Sequence, residues 1–211
     1  MKLTACSCIA ISGLSSHPFG SWQPKGADHS FMWIRDSLPK HLRGTRALLY
    51  GYNTKLHESN SFQRIPDLAR ELINQLSTYG WGTQSSVHLA FLAHSLGGLV
   101  LKQALVELDK SQDPVYKNIL AAVRGSVCFG VPNLGMEQTH FYAIVHTNPN
   151  EALVRDIGED SNYLRRLDQD FAKRPFKKRI KCYWAFETAE SPTVVVSKPL
   201  TERVLGVRRL P

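Results

Sequence analysis

No apolar run in the 211 residues approaches the roughly 20 that a membrane-spanning helix needs. The four cysteines, Cys6, Cys8, Cys128 and Cys182, are too few for a disulfide-stapled scaffold. No short period recurs, which excludes collagen-like, coiled-coil and tandem-repeat architectures. Hydrophobic residues make up 43% and charged residues 21%, too apolar a balance for a disordered chain. These exclusions leave one compact, cytosol-like domain, long enough to bury a substantial core.

The net charge of +8 is spread along the chain, apart from a basic stretch from Lys173 to Lys181. Nucleic-acid binding would call for that stretch to be interleaved with stacking aromatics. Only Phe176 interrupts it, so no nucleic-acid partner is expected. It reads as a solvated approach to a strand, with weak attraction to anionic lipid headgroups as an extra. The first residues, Met1 to Ile11, resemble a short signal peptide but also read as a buried strand ending in a Ser-Gly turn. The absence of a disulfide framework favours the strand. Cys6 and Cys8 have no second Cys/His pair at ligand spacing nearby, so no metal site is expected.

Along the chain, apolar strands alternate with helices. Strands are expected at Leu3 to Ser12, Ala47 to Tyr50, Val87 to Ala93, Ser126 to Val131, Ile180 to Phe186 and Thr193 to Val196. Phe31, Ile34, Leu38 and Leu42 have helical spacing, with Pro39 bending or ending the helix. Ile65, Leu68, Ala69, Leu72, Ile73 and Leu76 form the clearest helical stripe, with Pro66 in its first turn and Gly80 at its end. Gly97 to Asp109 reads as a helix that is apolar on most of its early surface, and Tyr116 to Val123 as a further helical segment. Glu137 to Ala172 is helical and polar, fitting a cap or outer layer. This alternation implies parallel pairing and a doubly wound α/β sheet.

One constellation carries chemistry: Phe91-Leu92-Ala93-His94-Ser95-Leu96-Gly97-Gly98-Leu99-Val100. It places a small-x-Ser-x-Gly sequence between an apolar strand and a helix. A sharp strand-to-helix turn holds such a serine in a strained conformation with its Oγ exposed above the sheet. The positions on either side, here Ala93 and Gly97, must be small to clear the neighbouring elements. The helix N-terminus that follows favours developing negative charge, which makes the Leu96 N–H an oxyanion donor.

With these residues the chain resembles α/β-hydrolases of the serine-active-site-containing-protein and GPI inositol-deacylase-like group, domains also found at the N-terminus of fungal NLR-type receptors. The matching pieces are Gly13-Leu14 with His17-Pro18-Phe19-Gly20-Ser21-Trp22, then Trp33 to Pro39, Tyr50-Gly51-Tyr52, Ala93 to Leu105, Phe129-Gly130-Val131-Pro132 and Phe186-Glu187-Thr188. The resemblance implies an α/β-hydrolase domain over residues 1–197, with a helical cap-like insertion at about 137–172 and an atypical tail at 198–211. It makes Ser95 the nucleophile, the N–H groups of Leu14 and Leu96 the oxyanion hole, and Glu187 the acid, with Glu137 as the weaker alternative. No metal or organic cofactor is implied.

The departures are specific. Ser12-Gly13 stands where the group has His-Gly, Ser15-Ser16 where it has a Gly-Gly pair, and Val131-Pro132-Asn133 where it has Thr-Pro-His. The group's catalytic histidine follows the last strand, whereas no histidine follows His146 here. The ending therefore reads as a truncation or an altered exon. His94 should point away from the Ser95 Oγ; His17, His140 and His146 are the other histidines considered, and none is assigned as base. The expected function is a serine ester hydrolase acting on ester or lipid substrates through an acyl-enzyme, impaired by the missing histidine. The alternative is an inactive hydrolase fold serving as a signalling or interaction module within a larger receptor. The resemblance implies a cytoplasmic place, or one peripheral to mitochondrial or endoplasmic reticulum membranes.

Overall fold

A computed structural model describes residues 6–24, 30–53, 55–56, 59–83, 87–137, 145 and 148–186. Within these residues five strands, β1 (Cys6–Ile11), β2 (Thr45–Tyr50), β3 (His88–His94), β4 (Val123–Phe129) and β5 (Lys181–Ala185), pair in parallel in the order β2-β1-β3-β4-β5. Both faces of β1 are covered. Ile9 and Ile11 enter one apolar cluster, Cys8 and Ala10 the other, which is why the strand reads as a continuous apolar run rather than an alternating one.

The larger cluster lies under helices α3 (Ile65–Thr78), α4 (Leu96–Lys110), α5 (Pro114–Ala122) and, past the short α6 (Glu151–Asp156), α7 (Asn162–Ala172). The opposite face carries a 3-10 turn at Gly20–Trp22 and the short α1 (Trp33–Asp36) and α2 (Leu38–His41). Helices on both faces of a parallel sheet make the architecture doubly wound, as the alternating pattern implied.

Local chemistry sets the boundaries. In α3 the Arg64 N–H donates to Asp67 Oδ2 at 3.0 Å, Pro66 sits in the first turn and Gly80 takes φ +85° beyond the end. All six residues of its apolar stripe are buried. The expected helix over Phe31 to Leu42 is instead two short helices flanking Ser37, with Pro39 in the first turn of the second. Phe31 and Leu42, the ends of the supposed stripe, are 41% and 50% exposed. The helix expected from Tyr116 starts at Pro114, because the Asp113 carboxylate accepts from the Val115 N–H at 2.8 Å. β4 runs from Val123 to Phe129, earlier than expected at both ends, and stops where Gly130 turns to φ +54°. The expected strand Thr193 to Val196 lies outside the described residues.

α4 is buried on nearly every side, Lys102 included. The Lys102 Nζ, 2% exposed, donates to Asp168 Oδ1 at 2.7 Å and Asn133 Oδ1 at 3.0 Å. It also lies 5.2 Å from the Phe171 ring centre and 5.3 Å from that of Trp184. One ammonium thereby ties α4 to α7, β5 and the loop after β4. Asp168→Ala strips the countercharge from a buried cation and is expected to cost about 1–3 kcal/mol. Lys102→Met keeps the apolar stem, lets the half-exposed Asp168 rehydrate, and should cost about 1 kcal/mol or less. Urea midpoints of the two variants would show this order; the reverse order would mean that the ammonium is not desolvated.

Candidate active site

The strand order reverses direction between β1 and β3, since β2 follows β1 on one side and β3 to β5 extend on the other. In open parallel sheets the crevice beyond the carboxyl ends at such a switch point is the ligand-binding position. Two connections leave the sheet there: Ser12 to Ser16 after β1, and Ser95 between β3 and α4.

Ser95 has φ 52° and ψ −126°, outside the regions that side-chain-bearing residues favour. Its N–H donates to the Phe129 carbonyl at 2.9 Å, and its carbonyl accepts from Gly98 N–H at 2.9 Å. The turn is therefore pinned to β4 on one side and to the first turn of α4 on the other. Ser95 is half-buried, whereas Ala93 and Leu96 are buried. A Cβ on Gly97 would press into the Ser12 carbonyl and lie 2.8 Å from Ile11 Cγ2; one on Gly13 would lie 2.9 Å from Ser95 Cβ. Gly97 is thus required by the close approach of the β1 end to the first turn of α4.

The loop after β1 is held by a group to which the sequence assigned no role. Tyr52 Oη donates to the Ser12 carbonyl at 2.9 Å, and burial pushes its phenol pKa up, keeping it a donor. Ser12 itself is 1% exposed and its Oγ has no hydrogen-bond partner among the described residues. Leu14 follows in a turn whose next residue, Ser15, takes φ +49°, and Ser16 Oγ donates to the Leu14 carbonyl at 3.0 Å. Leu96 opens α4, so its N–H lies in the first turn, where no helical carbonyl precedes it.

The histidines are dispersed. His94 packs edge-on against Trp22, ring centres 6.5 Å apart, on the face away from α4. Exposed His17 accepts from Phe19 N–H through Nδ1 at 3.2 Å. His140 and His146 lie outside the described residues, as does Glu187. The described chain ends at Phe186, one residue past β5; Ala185 aligns with Phe129, which aligns with His94, so the chain leaves β5 on the rim that carries Ser95. Glu137 is half-buried and follows Met136, whose N–H donates to the Ile157 carbonyl at 2.9 Å. Cys8 is a core residue, its thiol pushed up to about 11 by burial with the neighbouring Cys6 adding to it.

The backbone at Ser95 can be tested apart from any activity. Glycine adopts this φ without penalty, so Ser95→Gly is expected to be about 1 kcal/mol more stable than Ser95→Ala, which keeps the strain. Gly97→Ala should destabilise by about 2 kcal/mol or more, because a backbone carbonyl cannot yield as a side chain can. Gly20→Ala, whose Cβ would meet nothing closer than 3.6 Å, serves as the near-neutral control. Denaturant unfolding of the four variants would check the ranking.

Residues 26 to 148 match the family model described as "Putative serine esterase (DUF676)". Protein SERAC1 of zebrafish (Danio rerio) is 24% identical over 184 residues, covering 77% of this chain and 27% of that protein. Human SERAC1 is 23% identical over 182 residues with the same coverage of each. The chain spans about a quarter of the length of these curated relatives. Among solved structures, the lipase BlEst2 of Bacillus licheniformis superposes with a TM-score of 0.56 at 13% identity, over 86% of this chain and 65% of that one. Phospholipase PlaB of Legionella pneumophila superposes with a TM-score of 0.59 at 13% identity, over 86% and 38%. At such identities the superpositions establish the α/β-hydrolase fold alone. The family match spans more than half of the sequence and contains the Ser95 elbow: this α/β-hydrolase chain belongs to the DUF676 serine esterase family.

Proposed function

We propose that the chain is a serine ester hydrolase that works through an acyl-enzyme on Ser95. The observation that carries this reading is the conformation of Ser95, held at φ 52° between β3 and α4 at the switch point of the sheet. A strained, half-exposed serine at that position is costly to maintain for packing alone. Its Oγ attacks the ester carbonyl, the alcohol leaves, and water releases the acid. The N–H groups of Leu14 and Leu96 hold the oxyanion; the approach of Gly13 to Ser95 supports Leu14, and the first turn of α4 supports Leu96. Glu187, the residue after Phe186 in the sequence, supplies the acid; the exit of the chain from β5 on the Ser95 rim supports it.

Turnover by these 211 residues is slow. A serine hydroxyl needs a positioned base near neutral pH, and none of His17, His94, His140 and His146 is assigned that part. In a triad enzyme the loss of one member costs about 10⁴ to 10⁶ in turnover, while the oxyanion hole and binding retain roughly 10³ to 10⁴ over water. Ser12 in place of the oxyanion-loop histidine acts on the same transition state. Ester or lipid substrates fit the family, with any membrane contact peripheral.

The test compares the purified chain with Ser95→Ala on short activated esters from about pH 5 to 9. Slow, saturable hydrolysis that disappears in Ser95→Ala is the expected result. Equal rates in both proteins would overturn Ser95 as nucleophile and favour a hydrolase fold used as an interaction module. Brisk turnover with a histidine-like midpoint would overturn the slow-turnover account and assign the base to His17, His140 or His146.

A further inference from the structure

A groove of about 500 Å³ runs between the edge strand β2 and α3, and its lining includes neither Ser95 nor Leu96. Along β2, Arg46, Leu48 and Tyr50 alternate onto the face toward α3, and Leu48 and Tyr50 pack against the core there. Leu48, Leu72 and Leu76 give the groove an apolar middle. Its two ends are polar and differ in charge.

At one end the Arg46 guanidinium lies 5.8 Å from the Trp81 ring centre and donates to Ser7 Oγ at 3.2 Å. That bond uses one of its five N–H donors. At the other end the Tyr50 ring stacks on Tyr52 at 5.7 Å, and the Tyr50 Oη is buried with no hydrogen-bond partner among the described residues. Burial, with the charge of Glu71 adding to it, pushes the Tyr50 phenol pKa up, so the group remains a neutral donor. Glu71 accepts from Gln63 Nε2 at 3.0 Å.

A buried hydroxyl without a partner lowers stability, and phenylalanine would fill the same space without that cost. The combination points to a ligand. We propose that this groove binds an elongated anionic amphiphile, with its acid headgroup on Arg46, its alkyl chain over Leu48, Leu72 and Leu76, and a neutral oxygen accepting from Tyr50 Oη. The orientation follows from charge, since Glu71 repels an acid at the Tyr50 end. Arg46 and Tyr50 lie four positions apart along the strand, about 13 Å, which suits a medium-length chain. This site does not depend on Ser95 being a nucleophile.

The test is calorimetric titration of the full chain with ω-hydroxydecanoate, decanoate and decanediol. The hydroxy acid is expected to bind one-to-one and about fivefold tighter than decanoate. Tyr50→Phe should erase that advantage, leave decanoate affinity unchanged and raise Tm by a few degrees. Arg46→Gln should weaken both acids about tenfold without restoring any preference for the diol. The proposal is overturned by an absence of saturable binding, by a diol that binds as well as the hydroxy acid, or by a hydroxy-acid advantage that survives Tyr50→Phe. Loss of binding after phosphonylation of the serine would also overturn it, by placing the probe at the elbow.

Discussion

The close approach between the loop after β1 and the first turn of α4 is the constraint on which the rest of the site depends. Gly97 lies against the Ser12 carbonyl and the Ile11 side chain, and Gly13 against Ser95 and His94. With no side chain at either glycine, the two backbones nearly touch, and Ser95 is left in a conformation that costs on the order of 1–3 kcal/mol. That cost is met by the packing of α4, whose first eleven residues are buried except Gln103, and by the bond from the Ser95 N–H to Phe129. Looser packing at α4 would let the turn relax, and the serine would lose its place above the sheet.

The same contact explains the surroundings. Val131 seats against Gly98, Gly130 N–H donates to the Ala185 carbonyl at 2.9 Å, and Asn133 receives Lys102. The loop after β4 is thereby fixed to α4 and to the end of β5, the two elements that flank the Ser95 rim on that side. On the other side Tyr52 fixes the Ser12 carbonyl. The elbow is bracketed by polar bonds reaching in from neighbouring elements, each made by a group in a largely apolar setting where a lost partner is costly.

Much of this was legible in the sequence, for identifiable reasons. The α3 stripe and the run before Ser95 are strong local patterns, and both elements form where expected. Phe31 to Leu42 misleads because four apolar residues at helical spacing need not share one helix, and Pro39 starts a second turn instead of ending the first. The early start of β4 is hidden by Gly125, which resembles a turn residue; it is small because the strand passes the Lys181 carbonyl, 2.8 Å from where its Cβ would be. For the site, Ser95 and the element carrying Leu96 could be located from the motif, and the loop carrying Leu14 only from the family resemblance, while Glu187 falls outside the described residues. Tyr52 and Lys102 owe their roles to partners far away in the chain, and no local spacing announces that a phenol or an ammonium will be buried.

The central claim, that the elbow presents Ser95 as a nucleophile, is tested most directly by covalent labelling. The chain would be incubated with a small alkyl fluorophosphonate, digested, and the adduct located by mass spectrometry. A single adduct on the Ser95 peptide, absent in Ser95→Ala and after unfolding in urea, is the predicted result. An adduct on another residue, or equal labelling of the folded and unfolded chains, would contradict it.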